Sequence, residues 1–456
     1  MKRADYVIVG AGSAGCVLAN RLSEDPNTRV LLIEAGGEAK GFMVQMPVGF
    51  AYMLTNPQYD WGYEQSPDPS INGRRFTWSA GRMLGGSSSL NGQVYIRGAR
   101  SDFDAWADRG ATGWGWSDVF PYFLRSEHWH GPASQARGAH GPLSVSPMRD
   151  PHPLCATFMA ACNEIGLPTR AEYNAGDLEG VFLTEATQRD GWRCSTEKAY
   201  LRPVRGRPNL QVVTHAEAER LVLRDGRAVG VVVRTGGQTE EIAADREVIV
   251  SCGTLGTPAL LMRSGIGPAQ HLRDRGVTVQ LDAPAVGQNL QEHSGSSQNK
   301  FVNRPTLNSQ LGRWPVIRDM ARFLWNRTGP MSAPAVQAMA FARTDPDLAE
   351  PDIQIHFLPL AYDLEPETVS AARADMPKEP CVSINVTLCH PQARGRVELD
   401  ENLRPVATHQ LLGDETDLAR HVAAMKLVDR LFRQPAFQQI VVGDRRPDPV
   451  PTDDAD

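Results

Sequence analysis

Six residues near the start of the chain restrict what it can fold into more than any others. Gly10-Ala11-Gly12-Ser13-Ala14-Gly15 follows Tyr6-Val7-Ile8-Val9, a short apolar run suited to a buried parallel strand. Cys16, Val17, Leu18, Ala19 and Leu22 then give a helix its apolar side, and Arg29 to Glu34 returns as a second strand. This is a strand–helix–strand unit with glycines at its turn. The first glycine permits the tight turn, the second lets backbone approach a pyrophosphate, and the third lets helix and strand pack closely. The helix N-terminus attracts the phosphate charge. Glu34 stands 19 residues after Gly15, where a carboxylate can accept hydrogen bonds from ribose hydroxyls. The unit predicts a bound dinucleotide without saying which one.

The rest of the chain reads as a two-lobe α/β protein. Its 456 residues are long for one domain, and 41 Gly with 33 Pro imply many turns. A net charge of -6 argues against a nucleic-acid partner, and no apolar run is long enough to span a membrane. Met1-Lys2-Arg3 leads directly into the first strand, with no signal-peptide pattern, so the expected location is cytoplasmic. None of the seven cysteines forms a C-x-x-C pair, which predicts reduced thiols and no zinc site. Leu210–Val213, Ala228–Val233 and Glu247–Val250 are β-branched runs separated by turn residues. Asp352–Phe357 and Val382–Val386 alternate at period two and predict strands with one wetter face. Ser101 is the expected N-cap of a helix through Trp106, and Leu418, Val422, Met425, Val428 and Phe432 fall at helical spacing. His128-Trp129-His130 with His140 could suggest a metal, but the glycine-rich surroundings favour solvated surface, and no metal is expected.

A second glycine-rich stretch, Gly81-Arg82-Met83-Leu84-Gly85-Gly86-Ser87-Ser88-Ser89-Leu90-Asn91-Gly92, offers backbone NH groups and hydroxyls in a tight loop. Together with Tyr95, Gly98 and Asp104 it resembles the first signature of the glucose–methanol–choline (GMC) oxidoreductase family. Gly253-Thr254-Leu255-Gly256-Thr257-Pro258, followed by Ser264-Gly265-Ile266-Gly267-Pro268, resembles the second signature. Val286-Gly287-Gln288-Asn289-Leu290-Gln291-Glu292-His293 resembles a third element, with Glu for the usual Asp. The resemblance runs from Asp5 to about Phe437 and is strongest to the choline dehydrogenase branch.

That resemblance implies a doubly wound, Rossmann-like FAD-binding lobe and a second α+β substrate-binding lobe, each discontinuous in sequence. The implied segments are 1–150 and 205–292 for the FAD lobe, with 151–204 and 293–456 for the substrate lobe. Gly10, Gly12, Ser13, Ala14, Gly15, Glu34 and Ala35 would hold the adenosine and pyrophosphate. Arg82, Leu84, Gly85, Gly86, Ser87, Ser88, Asn91, Gly92, Gln93 and Val94 would line the phosphates and isoalloxazine, with Gly253 nearby and Ala218 at the adenine. Leu90 stands where some relatives carry a flavin-tethering histidine, so FAD is expected to be noncovalent.

The implied activity is oxidation of a small-molecule alcohol: a base takes the hydroxyl proton while hydride passes from the carbinol carbon to flavin N5. The electron acceptor, oxygen, quinone or another, is left open. In the family the base is a histidine in an H-P-x-G-T element, partnered by a later His or Asn, and neither occurs here. His390-Pro391-Gln392-Ala393-Arg394-Gly395 corresponds instead to the family's R-P-x-S-R-G segment. The expectation is therefore a chain stopping short of the catalytic end, with impaired alcohol oxidation, and His356 as the candidate pocket residue. His293 is read as holding a loop, and Trp114 and Trp116 as packing residues. A flavin-dependent lyase or photodecarboxylase, or a non-catalytic FAD-binding remnant, is the alternative that this scaffold leaves open.

Overall fold

The computed structural model describes residues 2–362 and 376–447. Its first sheet has the strand order Leu210–Val213, Val30–Ile33, Arg3–Val9, Gln238–Val250, Arg227–Thr235, Ala216–Arg224. The first four strands run parallel, and the last two extend the sheet by antiparallel pairing. Val30–Ile33 is buried along its whole length, which explains why it reads as unbroken Val-Leu-Leu-Ile rather than alternating. Two neighbouring parallel strands, Arg3–Val9 and Gln238–Val250, each feed a glycine turn and then a helix, Ser13–Leu22 and Gly253–Arg263. Both helix N-termini thus open at the same end of the sheet, beyond the carboxyl ends of the strands, where open α/β sheets bind ligands.

The second sheet is antiparallel, in the order Val441–Arg446, Gly295–Val302, Cys381–Leu388, Ile353–Leu358, Ala338–Ala342, Gly180–Leu183. Period-two alternation sorts its side chains. Ile353, Ile355 and Phe357, with Val382, Ile384 and Val386, face a core shared with helices Leu154–Glu164 and Glu415–Phe432. Gln354 and His356 face the other way and are less buried, as the alternation predicts.

Two local expectations need correction. Ser101 is not the N-cap: the helix spans Arg100–Asp108 and is capped at Ala99, whose backbone NH donates to the Asp102 carboxylate at 2.9 Å. Asp102, in the first turn, reaches back to the orphan donor, so the cap lies two residues earlier. His128 and Trp129, read from their glycine-rich surroundings as solvated surface, belong to a short strand, Glu127–Trp129, paired with Leu143–Pro147, and are only partly exposed. The His128 and His130 rings stack 4.6 Å apart, and His130 shares a hydrogen bond with Ser144.

That short strand anchors a buried ionic network. Glu127, fully buried, accepts from Arg97 at 2.8 Å and from Arg137 at 2.6 Å, and Arg137 also binds Glu185 at 2.8 Å. The Arg137 guanidinium lies 3.6 Å from the centre of the Trp129 ring. Burying these charges is tolerable only because each is paired and hydrogen-bonded. Glu127→Ala leaves two buried guanidinium groups short of a carboxylate and should cost about 3–5 kcal/mol. Denaturant unfolding measures this, and a loss below about 1 kcal/mol would show that the network is not a principal support of the fold.

Candidate functional site

The site begins where glycine replaces side chain with backbone. Gly10 has φ +97, and a Cβ there would lie 2.5 Å from the Ser251 carbonyl oxygen. A Cβ on Gly15 would lie 1.9 Å from the Gly10 carbonyl oxygen. Both positions are closed to any side chain by the fold itself. Gly12 differs, because a Cβ there would meet only the Ser251 carbonyl, at 3.9 Å. No clash within the protein therefore requires glycine at this position.

The second glycine loop packs onto the first through main chain. Gly85 NH donates to the Ala11 carbonyl at 2.7 Å, and a Cβ on Gly86 would lie 2.7 Å from the Gly12 Cα. Beside this junction is a cavity of about 1110 Å³. Gly10, Gly12, Ser13, Ala14, Glu34 and Ala35 border it, as do Arg82, Gly86, Ser87, Ala218 and Gly253. The helix that begins at Ser13 has no side-chain cap and no acid in its first turn, so its first NH groups present an uncompensated positive end to this space. Arg82 and Arg263 border the cavity too, and each has a buried Nε without a hydrogen-bond partner. Arg82 also lies over the Trp61 ring, 4.9 Å from its centre. Arg263, Trp61 and Ser251 went unnoticed in the sequence because no short motif carries them.

Glu34 is buried, with one carboxylate oxygen accepting from Ala11 NH and the other from Gly36 NH, each at 2.9 Å. Burial pushes its pKa up to about 7, against those two hydrogen bonds and the nearby Arg82 charge. The carboxylate therefore clamps the glycine turn and keeps lone pairs available for further hydroxyl donors.

The remaining predicted residues lie outside this cavity wall. Gly15 packs beneath Gly10, and Leu84 is buried in a core cluster with Ile8 and Cys16. Ser88 hydroxyl donates to the Gly85 carbonyl at 2.6 Å. Asn91, Gly92, Gln93 and Val94 do not border the cavity. Asn91 Oδ1 accepts from Gln93 NH and from Arg193, each at 3.1 Å. Arg193 also donates to the Ser88 and Asn91 carbonyls, and burial lowers its pKa to about 9. Val94 packs against the cluster containing Met339 and Phe341.

Met339 and Phe341 share a sheet face with His356 and Gln354, so the segment after Asn91 meets the second sheet's polar face. Cross-strand pairs there run Ser297–Asn385–His356–Met339 and, one step along, Gly295–Thr387–Gln354–Phe341. Thr387 Oγ1 and Asn299 Oδ1 on this face are buried without a partner. Burial, reinforced by His293, lowers the His356 pKa to about 4, so its imidazole is neutral at ordinary pH. His390 is turned elsewhere: its Nε2 is 2.6 Å from Asp102, whose carboxylate raises its pKa.

Comparison with known proteins converges on one family. Residues 4–295 match the family described as GMC oxidoreductase. The chain is 40% identical to an oxygen-dependent choline dehydrogenase of Rhizobium etli over 440 residues, covering 95% of this chain and 78% of that protein. It is 37% identical to the Brucella canis protein of the same name, over 95% of this chain and 78% of the relative. Among solved structures, pyridoxine 4-oxidase from Mesorbium loti is similar at a TM-score of 0.86 and 30% identity, covering 99% of this chain and 84% of that one. A formate oxidase is similar at a TM-score of 0.88 and 26% identity, covering 98% and 84%. The chain therefore belongs to the GMC oxidoreductases, FAD-dependent enzymes that oxidise alcohols.

Proposed function

We propose that this chain binds FAD noncovalently in the glycine-lined cavity and oxidises a small primary alcohol against the polar face of the second sheet. The observation that carries this reading is the junction of the two glycine loops, with an uncapped helix N-terminus and two guanidinium groups at one cavity. That donor set fits a diphosphate, and Glu34 beside it fits a ribose. Ser13, Ala14, Arg82 and Arg263 would hold the phosphates, Glu34 the ribose hydroxyls, and Ala218 the adenine side. Asn91 to Val94, fixed by Arg193, would carry the ring system toward the polar face. When bound, FAD supplies the hydride acceptor. Neutral His356 can accept a hydrogen bond from the substrate hydroxyl and so orient it, while Asn385 and Thr387 offer further polar partners. The primary-alcohol class is supported by the relatives' names, since choline carries a primary hydroxyl.

We further read residues 1–150 and 205–292 as the FAD lobe, and 151–204 and 293–456 as the substrate lobe. The two sheets draw their strands from correspondingly separate stretches. No helix among the described residues is long and apolar enough to cross a membrane. No disulfide joins any of the seven cysteines, which supports a cytoplasmic setting.

Four outcomes test this reading. Acid precipitation of yellow holoprotein should leave the flavin in the supernatant, because Leu90 has no nucleophile; flavin retained in the pellet would contradict it. Glu34→Ala should weaken FAD by about 1–3 kcal/mol, or roughly 5- to 150-fold in Kd, in a fluorescence-quenching titration. An unchanged Kd would place the ribose elsewhere. His356→Gln should lower alcohol turnover (kcat/KM) about tenfold or more, the scale of a lost general-catalytic or orienting contact, with the flavin spectrum intact. It should also change acid stability. Because the folded pKa of about 4 lies below the ordinary value for histidine, unfolded chain takes up the proton first, and stability falls as pH drops through the interval between them. The variant should lose that part of the decline in unfolding midpoints; an unaltered pH profile would mean His356 is not held neutral.

A further inference from the structure

Among the described residues, one helix turns an apolar face to solvent. The helix Arg313–Asn326 is docked by its inner side: Phe323 is buried, edge-on to Trp192 at 4.9 Å and to Phe42 at 6.2 Å, while Asp319 is buried beside it. Just past the helix end, the Arg327 guanidinium lies over the Trp192 ring, 4.7 Å from its centre. The opposite side should therefore be polar. It is not. Trp314 is 77% exposed, Ile317 48%, Leu324 53% and Trp325 90%. Successive steps of three, seven and one residues, at about 100° per residue, place these side chains within one arc, roughly a third of the helix circumference. Exposed Leu311 extends it toward the preceding turn.

Charge indicates what covers the stripe. Arg318 and Arg322 flank it on one edge and Arg313 on the other, by helical periodicity. Between Arg313 and Arg327 there are four arginines (313, 318, 322, 327) and one acid, Asp319, so the local charge is 4 − 1 = +3, on a chain whose net charge is -6. Arg318 contacts Asp319 at 2.9 Å and Arg322 contacts Asp150 at 3.0 Å, yet both guanidinium groups remain well exposed. Another group of exposed aromatics, Trp106, Trp114 and Tyr122, lies in a segment whose arginines (100, 109, 125) are outnumbered by aspartates (102, 104, 108, 118). An apolar stripe bearing two tryptophans and bordered by arginines suits the interface of an anionic bilayer, where indole rings occupy the headgroup level and arginines meet lipid phosphates. A second copy of the chain fits less well, because a two-fold contact would set the same arginines against one another.

We propose that helix Arg313–Asn326 seats this enzyme on an anionic lipid surface as a peripheral, non-spanning contact. The stripe enters the headgroup region while its arginines pair with lipid phosphates. Purified holoenzyme should co-sediment with vesicles of phosphatidylcholine plus phosphatidylglycerol, several-fold more than with phosphatidylcholine alone. High salt should weaken the association. Brominated acyl chains in the same vesicles should quench part of the tryptophan fluorescence. The double variant Trp314→Ser, Trp325→Ser removes almost no core packing, so melting temperature and flavin content should stay unchanged. Its partition should fall about tenfold or more, with the quenching reduced. Failure of the wild-type protein to associate with the anionic vesicles overturns the proposal, as does a variant that associates equally well. A concentration-dependent dimer mass by light scattering, abolished in the variant, would assign the stripe to a second copy and equally overturn it. None of these readouts depends on alcohol turnover, so they are separate from tests of the catalytic reading.

Discussion

Main chain packed against main chain, where the two glycine loops meet, is the contact on which the rest of this site depends. Ser251 hydroxyl bonds to the Val9 and Gly10 carbonyls at 3.0 and 2.8 Å, tying together the ends of the two central parallel strands. Gly10 and Gly15 let the first helix start within van der Waals reach of that tie, and Gly85 and Gly86 bring the second loop down onto Ala11 and Gly12. Each contact is closed to a Cβ. Because the helix must start there, its positive end faces the cavity, and because the loops are joined there, Arg82 and Ser87 border the same space.

Burial then decides which charges the site can carry. Glu34 and His356 are both displaced toward their neutral forms, the first upward and the second downward, because desolvation penalises charge in either direction. Glu34 keeps its place by clamping two backbone NH groups. Arg193 is a different case, a buried guanidinium that donates to backbone carbonyls and to the Asn91 side chain. Its Nη1 holds the Ser88–Asn91 loop, and its Nε ties that loop's neighbourhood to the Val44 carbonyl. The Arg97, Glu127, Arg137 and Glu185 network shows the usual solution, opposite charges paired closely enough to offset their lost hydration. The exposed arginines of helix Arg313–Asn326 remain hydrated and so stay available to an outside surface.

Much of this architecture was legible in the chain because local patterns report local physics. The strand–glycine–helix unit, the fully buried Val30–Ile33 and the one-sided alternation of Ile353–Leu358 each follow from a period or a turn requirement that a few neighbouring residues satisfy. The long glycine signatures identified family and cofactor for the same reason: close backbone approach tolerates almost no other residue. Ser101 misled as a cap because a carboxylate one residue later reaches back further than a hydroxyl does.

What the amino-acid order determined by itself is therefore the doubly wound unit, the FAD signature, the absence of a tethering side chain at Leu90 and the direction in which His356 faces along its strand. Only the tertiary structure decided which distant groups share a site. Arg263 and Arg82 come to one cavity from 181 residues apart (263 − 82), and Asn91 is held by Arg193 from 102 residues away. The same holds for helix Arg313–Asn326. Its sequence has apolar residues on two sides, and either could have faced the core. Phe323 docks against Trp192 and Phe42, and that choice turns Trp314 and Trp325 outward. Such pairings depend on chain segments brought together by packing, a long-range property that no local period records.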